Sequence, residues 1–250
     1  MTDATDPQVL ATFELTKSFG GVRAVDNATV AFQAGRINAV IGPNGSGKTT
    51  FFNCITGMIK PDSGTVEYRG RPVTGKSPDR IASAGIGRSF QLCRIFPQMT
   101  VLENVLAAAR PANIGAMLRA PHRRSPDVAR ARDLLVRVGL DHLENSTADR
   151  ISYGQQKLLE LAGVLMADPE TIMLDEPAGG VNPAVIDRLA SLILDLNAEG
   201  RTFIIVEHNM SLVMSLSHHV VVFDRGRPIV EGSPAMVQAH PAVLEAYLGV

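Results

Sequence analysis

The chain contains 250 residues, carries a formal net charge of −1 and is 45% hydrophobic. This length allows a sizeable buried core, so we expect one large domain or a core with a subdomain. The near-neutral charge excludes a strong general attraction to nucleic acid or anionic lipid. Two cysteines without a metal or disulfide pattern, no secretory signal and no long apolar run together predict a cytoplasmic protein.

Short apolar segments alternate with polar residues through residues 13–25 and 28–32, and they are broken at residues 20–21 (Gly-Gly) and 26–27 (Asp-Asn). This pattern predicts antiparallel strands packed on one face. Phe19 precedes the first break and is either a stacking platform for an adenine base or a buried aromatic of the turn. The sequence leaves these two alternatives open.

Residues 42–49 read Gly-Pro-Asn-Gly-Ser-Gly-Lys-Thr, and they lie between an apolar run at residues 37–41 and the start of a helix at residues 50–55. A strand, a glycine-rich loop and a helix in this order are the context of a phosphate-binding P-loop. The glycines let backbone N–H groups converge on an anion, and the helix N-terminus adds partial positive charge. Lys48 supplies a full charge to the β- and γ-phosphates, and the Thr49 hydroxyl is suited to Mg²⁺. The chain is therefore predicted to bind a nucleoside triphosphate.

The sequence changes character near residue 92. Strands are predicted at residues 65–68 and 86–90, with Gln91 closing the second, whereas residues 92–158 read as helical. Ser125-Pro126 is a good cap and first position for one of these helices. A run of helices inside an α/β core predicts an inserted helical subdomain.

Six basic residues lie in this insertion, and we expect a solvated basic face rather than a docking patch, without nucleic-acid binding. They are Arg119, His122, Arg123, Arg124, Arg130 and Arg132.

Ser152 and Gly154 stand at the start of an apolar-periodic helix at residues 158–166. A hydroxyl and unpaired N–H groups at a helix start are either a second anion site or a helix cap. Taken alone, the cap is the favoured interpretation.

A predicted buried strand at residues 171–174 ends in Asp175 and Glu176. The carboxyl ends of parallel strands are where α/β sheets place their chemistry. Asp175 is suited to the Mg²⁺ shell, and Glu176 is suited to orienting or deprotonating an attacking water.

The next buried strand, residues 202–206, follows a helix predicted from Asn182-Pro183 to about residue 197. His208 leaves this strand on the same edge as the two acids, where an imidazole can contact a γ-phosphate. The later pair His218 and His219 lacks such a placement, and we interpret it as structural.

In this order, the motifs resemble those of the ATP-binding subunits of ABC transporters over nearly the whole chain. In the terms of that family, Phe19 matches the adenine-stacking aromatic, residues 42–49 the Walker A loop and Gln91 the Q-loop. Residues 152–155 match the signature, Asp175 and Glu176 the end of Walker B, and His208 the switch histidine.

The resemblance implies ATP and Mg²⁺ as ligands and assigns roles to individual residues. The residues implied as catalytic are Glu176, His208 and Gln91. The residues implied to bind the nucleotide are Phe19, Asn44, Gly45, Ser46, Gly47, Lys48, Thr49, Thr50, Ser152, Gly154 and Gln155. The residues implied to hold the metal are Thr49, Gln91 and Asp175.

The implied fold class is α/β: a P-loop NTPase (RecA-like) core with an antiparallel β subdomain and an inserted α-helical subdomain. The core with its β subdomain is expected at about residues 8–91 and 159–232. The helical signature subdomain is expected at about residues 92–158, and C-terminal helices at residues 233–250.

Within the family, residues 87–91, 96–105 and 240–249 resemble one of the two ATPase subunits of branched-chain amino acid importers. Related urea, amide and lipopolysaccharide-export ATPases carry similar segments and stay as alternatives.

Two positions depart from the family pattern. Tyr153 stands where many signatures have Gly, and Asn182 stands where Asp is commoner in the D-loop.

The family implies a head-to-tail pair of such domains, with ATP between the Walker A loop of one and the signature of the other. The implied partners are transmembrane permease subunits, a second ATP-binding subunit (the same chain or a paralogue) and, indirectly, a periplasmic binding protein. The chain would lie peripherally on the cytoplasmic face of the inner or plasma membrane. Four apolar residues either line a groove for the permease or form subdomain core: Leu92, Ile95, Phe96 and Met99.

Two other function classes explain less of the sequence. A soluble ABC-type ATPase acting on ribosomes or DNA usually carries two fused cassettes or a long coiled-coil insertion, and this sequence has neither of these nor a strongly basic face. A P-loop kinase does not account for the Ser152 signature or for the Asp175-Glu176 strand end.

Overall fold

A computed structural model describes residues 7–89, 95–109 and 125–248. The described residues form two compact units, the first made of residues 7–88, 170–176 and 194–248 and the second of residues 89, 95–109, 125–169 and 177–193. This grouping divides the chain at residues other than those predicted, and the predicted domain boundaries remain a prediction. The predicted residues Gln91, Leu92, Arg119, His122, Arg123 and Arg124 lie outside the described part.

The described residues form strands and helices that are numbered here in chain order. The strands are β1 (Gln8–Phe19), β2 (Val22–Gln33), β3 (Ile37–Ile41), β4 (Ser63–Tyr68), β5 (Arg71–Pro72), β6 (Ile86–Arg88), β7 (Thr171–Asp175), β8 (Thr202–Val206), β9 (His219–Asp224) and β10 (Arg227–Gly232). The helices are α1 (Lys48–Ile55), α2 (Pro78–Ser83), α3 (Val101–Ala107), α4 (Ser125–Val138), α5 (Tyr153–Met166), α6 (Pro183–Ala198), α7 (Met210–Leu216), α8 (Pro234–Gln238) and α9 (Pro241–Leu248). Short 3-10 turns occur at Asp141–Leu143 and Ala148–Arg150.

The first unit contains an antiparallel sheet with the strand order β2-β1-β4-β5. It confirms the antiparallel strands predicted near the N-terminus, but the predicted break at Asp26 and Asn27 is wrong, because β2 runs through both residues. Asn27 adopts a φ of 51° within an irregular register, and the Asp26 carboxylate is held by arginine side chains. The polar pair therefore bends the strand without ending it.

The same unit contains a six-stranded sheet with the order β10-β9-β3-β8-β7-β6, in which only the edge pair of β10 and β9 is antiparallel. Every residue of β3, β7 and β8 is buried, as expected for central parallel strands covered on both faces. β6 ends at Arg88, so it is shorter than the predicted strand at residues 86–90. The α/β class, with one antiparallel sheet and one mainly parallel sheet, is confirmed.

Aromatic packing fixes α1 in the core of the first unit. Phe51 is fully buried, and its ring centroid lies 4.8 Å from that of Phe223 and 6.4 Å from that of Phe32. Tilted rings at these separations add specific contact energy to the burial of apolar surface. The helix that follows the glycine-rich loop is therefore anchored along its length.

The second unit is helical, with α3, α4 and α5 packed on one another. Thr100 and Glu103 form a capping box at the start of α3. The buried Asn104 side chain accepts from the Phe96 N–H at 2.7 Å and donates to the Phe96 carbonyl at 3.1 Å. This amide holds the turn before α3 and leaves the Phe96 and Met99 side chains exposed. Among the described helices, none is both long and apolar enough to cross a membrane.

Candidate nucleotide-binding site

The glycine-rich loop between β3 and α1 is shaped by two glycines that no other residue can replace. Gly42 has a φ of 149°, and a Cβ there would lie 2.1 Å from the Phe223 carbonyl oxygen. Gly47 has a φ of 99°, and a Cβ there would lie 2.0 Å from the Ala24 carbonyl oxygen. The loop passes so close to neighbouring backbone that its path requires glycine.

Backbone hydrogen bonds tie this loop to the turn between β9 and β10. The Gly226 N–H donates to the Ser46 carbonyl at 2.9 Å, and the Asp26 N–H donates to the Gly226 carbonyl at 2.9 Å. The Asp26 carboxylate accepts from Arg227 Nε at 2.7 Å and from Arg23 Nη1 at 3.0 Å. The bond to Arg227 holds the pKa of Asp26 below its usual value, with help from Arg23. Strands far apart in sequence therefore hold the loop in shape.

Lys48 lies buried inside the curve of the loop. Its Nζ donates to the Gly42 carbonyl at 2.8 Å, to the Pro43 carbonyl at 2.9 Å and to Ser46 Oγ at 3.4 Å. Burial lowers the pKa of Lys48, and the Glu176 and Asp175 carboxylates oppose that effect. A cation held by loop carbonyls and facing two carboxylates is suited to exchange those partners for phosphate oxygens.

The start of α1 offers anion-binding groups on an accessible face. Asn44, Gly45 and Thr49 are exposed, and Thr50 is half-buried. Gly47 provides no side-chain cap, and the first turn contains no acidic residue. The first N–H groups of the helix and its partial positive charge are thus directed at whatever binds there.

The predicted strand ends meet at one edge of the parallel sheet. Asp175 lies opposite Val206 in the register of β7 and β8, and the Glu176 N–H donates to the Val206 carbonyl at 2.9 Å. Asp175 is buried and accepts from Arg88 Nη2 at 2.8 Å, whereas Glu176 is half-buried with a φ of 48°. An acid in the left-handed region is strained, which is typical of functional positions.

His208 follows β8 at the same edge, and 57% of its side chain is exposed. The fully buried Glu207 carboxylate accepts from the backbone N–H groups of His208 at 2.9 Å and Asn209 at 3.0 Å. Sequence reasoning missed this role of Glu207. The signal was present, because an acid directly after a buried apolar strand needs a hydrogen-bonding partner.

The residues at this edge suit Mg²⁺. The Thr49 hydroxyl and the Asp175 carboxylate are hard oxygen donors, the type that this ion prefers. Among the described residues, no group of three or more His, Cys, Asp or Glu side chains could hold a metal ion.

Phe19 ends β1, and 48% of its surface is exposed. The alternative of a buried turn aromatic is therefore wrong. Its ring centroid lies 5.4 Å from Lys17 Nζ, a cation–π contact that orients the ring. Stacking on adenine remains a prediction.

In the second unit, Ser152 caps α5. Its Oγ accepts from the Gln155 N–H at 3.3 Å, and Gln155 Oε1 accepts from the Ser152 N–H at 2.8 Å. This capping box confirms the cap interpretation. Ser152 and Tyr153 are exposed, so the same helix start is also accessible to a ligand. Nucleotide contacts by Ser152, Gly154 and Gln155 remain a prediction.

Family comparisons agree with this geometry. A family model described as an ABC transporter matches residues 25–179, and one described as a branched-chain amino acid ATP-binding cassette transporter matches residues 227–250. The high-affinity branched-chain amino acid transport ATP-binding protein LivG of Salmonella typhimurium is 40% identical over 249 residues, covering 96% of this chain and 98% of LivG. A probable LivG of Archaeoglobus fulgidus is 38% identical, covering 97% of this chain and 96% of its own length.

Solved structures show the same relationship. The chain is similar to a nucleotide-free ATP-binding cassette from an ABC transporter with a TM-score of 0.87 and 33% identity, covering 97% of this chain and 100% of that one. It is also similar to the ADP conformation of an ATP-binding cassette of an ABC transporter, with a TM-score of 0.86 and 34% identity, covering 97% of this chain and 99% of that one.

Proposed function

The chain belongs to the ABC transporter family of ATP-binding cassettes, and from this membership we propose that it is the ATPase subunit of a branched-chain amino acid importer. The single observation that carries the cargo class is the match of residues 227–250 to the branched-chain amino acid model, supported by the LivG relatives. The alternatives with urea, amide or lipopolysaccharide as cargo are outcomes of the uptake experiment below.

ATP binding uses the loop between β3 and α1. The first N–H groups of α1 bind the phosphates, and Lys48 exchanges its carbonyl partners in the loop for β- and γ-phosphate oxygens. The exposed Phe19 ring stacks on the base. When bound, Mg²⁺ neutralises charge on the phosphates, and Thr49, Asp175 and Gln91 would hold it.

Hydrolysis depends on residues at the edge of the parallel sheet. Glu176 orients and deprotonates the attacking water, and His208 contacts the γ-phosphate. The buried Glu207 fixes the backbone of His208 through its hydrogen bond, so it positions this residue. Gln91 completes the set of residues that sense the γ-phosphate.

Each site is completed by a second subunit, either the same chain or a paralogue. The capped helix start, where Ser152 is exposed and Gly154 and Gln155 are half-buried, binds the γ-phosphate held by the partner. ATP then joins the two subunits, and hydrolysis releases them.

The chain acts peripherally on the cytoplasmic face of the membrane beside permease subunits, with a periplasmic binding protein delivering the cargo. The exposed Phe96 and Met99 are available for a permease contact.

The variant Glu176→Gln tests the chemistry. We expect ATP hydrolysis to fall by about 10²- to 10⁴-fold, the range for loss of a general base, while ATP traps a dimer visible by light scattering. The control Glu199→Gln changes an exposed acid at the end of α6 and should hydrolyse normally. Near-normal hydrolysis by Glu176→Gln would refute the role of this residue.

The cargo is tested in vesicles that contain the permease subunits, with the chain and ATP inside and the periplasmic binding protein outside. Uptake of labelled leucine, isoleucine or valine should require both ATP and Lys48. Uptake of urea or of an amide, without uptake of these amino acids, would overturn the proposed cargo.

A further inference from the structure

A buried ion pair joins β6 to β7 beside the candidate metal site. Arg88 Nη2 donates to Asp175 Oδ2 at 2.8 Å, and the two side chains are 8% and 2% exposed. The residues reach each other because β6 pairs in parallel with β7, with Arg88 opposite Met173. Burying an ion pair costs desolvation energy, and only close contacts in good geometry offset that cost.

The guanidinium is also fixed on its other side. Arg88 Nη1 donates to Thr56 Oγ1 at 2.5 Å, and that hydroxyl donates in turn to the Phe52 carbonyl at 2.8 Å. The Phe52 ring centroid lies 5.8 Å from Arg88 Cζ. Two hydrogen bonds and a cation–π contact thus hold one planar group in a single orientation.

These contacts connect Asp175 with the far end of α1. The helix begins at Lys48, beside Thr49, and Thr56 is its C-cap residue. Eight helical residues span about 12 Å, so α1 is a short rigid rod. Arg88 fixes one end of this rod relative to Asp175, and the rod carries Thr49 at its other end. The positions of Thr49 and Asp175, the two described residues predicted to hold Mg²⁺, are thereby fixed relative to each other.

We propose that Arg88 is a positioning residue for the magnesium site, setting the rotation of the Asp175 carboxylate and its distance from Thr49. This inference rests on the proposed function. Because Arg88 binds Oδ2 of the Asp175 carboxylate, it determines the direction in which Oδ1 of the same carboxylate points. Lysine cannot replace it, because a single ammonium group lacks the fork that reaches Asp175 and Thr56 together.

Arg88→Lys keeps the charge and removes the fork. We would titrate the purified chain with a fluorescent ATP analogue, first in EDTA and then with increasing Mg²⁺. We expect the Mg²⁺ concentration for half-maximal enhancement of binding to rise by about 10- to 100-fold, the range for lost support of a metal ligand. Binding in EDTA should not change, because it depends on the loop and Lys48.

Two further variants separate positioning from general loss of structure. Thr56→Val removes the second hydrogen-bond partner of Arg88 but keeps the ion pair, so it should shift the Mg²⁺ requirement in the same direction by a smaller factor. Arg132→Lys changes an exposed arginine paired with Glu144 and should shift nothing. Thermal unfolding of each variant reports whether the fold is retained.

The outcomes distinguish the two proposals. An unchanged Mg²⁺ requirement in a folded Arg88→Lys variant would overturn the positioning role, as would an equal loss of binding in EDTA and in Mg²⁺. If the unmodified chain shows no Mg²⁺-dependent binding of the nucleotide, the proposed function itself fails.

Discussion

Val185 presses against Gly154 at the start of α5, so that a Cβ on Gly154 would lie 2.8 Å from Val185 Cγ2. Both residues belong to the second unit, and Val185 lies in the first turn of α6. Beside this contact, a Cβ on Gly180 would lie 3.3 Å from Tyr153 Cε1. The start of α5 is therefore packed on the first turn of α6 and on the loop before it, within one chain.

Gly154→Ala should destabilise the protein despite the higher helix propensity of alanine. The added methyl overlaps Val185, and overpacking of this kind costs about 1–3 kcal/mol. Urea unfolding would measure the loss. Val185→Ala in the same chain should recover part of it, because the overlapping methyl groups are gone.

Gly163→Ala is the matched control, since Gly163 lies in the same helix and its Cβ would stand 3.8 Å from Ala108 Cβ, an ordinary contact. This change should be neutral or stabilising by about 0.4–1 kcal/mol. Equal destabilisation by both glycine substitutions would contradict the packing argument.

Asp26 makes stability depend on pH. Its pKa is lowered in the folded protein, chiefly by the hydrogen bond from Arg227. The contribution of ionised Asp26 to the free energy of unfolding is therefore fully present above its pKa in the unfolded chain, about 3.9. It is lost as the pH falls through the lower pKa of Asp26 in the folded protein. Asp26→Asn should lower the melting temperature at neutral pH, and the gap to the unmodified protein should close in acid.

The control for this change is Asp187→Asn, an exposed acid in α6. Its melting temperature should follow that of the unmodified protein at every pH. A gap for Asp26→Asn that stays constant down to acid pH would show that the carboxylate charge is not what holds the loop.

Cys54 should resist alkylation while the protein is folded. The thiol is 2% exposed, and burial raises its pKa to about 11. In a Cys93→Ser variant, Cys54 is the sole cysteine of the chain. At pH 8 roughly one thiol in a thousand would be ionised, and only the thiolate reacts.

Iodoacetamide labelling of this variant, followed by mass spectrometry, should be at least about 100-fold slower in buffer than in guanidinium chloride. Equal rates in the two solvents would show that the P-loop helix opens readily and exposes Cys54.

The buried strands of the parallel sheet and the polar residues that end them could be predicted because their signals are contiguous in sequence. The apolar runs before Gly42, Asp175 and His208 each describe a buried strand that ends in polar groups, and parallel strands bring such ends to one edge. The capping box at Ser152 and Gln155 also lies within four residues. At these positions the hydrophobic pattern and the polar residues beside it indicate the same local structure.

The tertiary structure alone decided which distant groups support the site. Asp26 and Arg227 are separated by 201 positions, and Arg88 and Asp175 by 87. Nothing in the sequence next to Asp26, Arg227 or Arg88 indicates an ion pair, and the neighbours of Asp175 indicate a strand end but not its arginine partner. An ion pair depends on the strand order and register that bring its partners together. The sequence by itself determined the glycine-rich loop and the buried strands at which the nucleotide site is predicted, and the folded sheet decided which distant residues hold them in place.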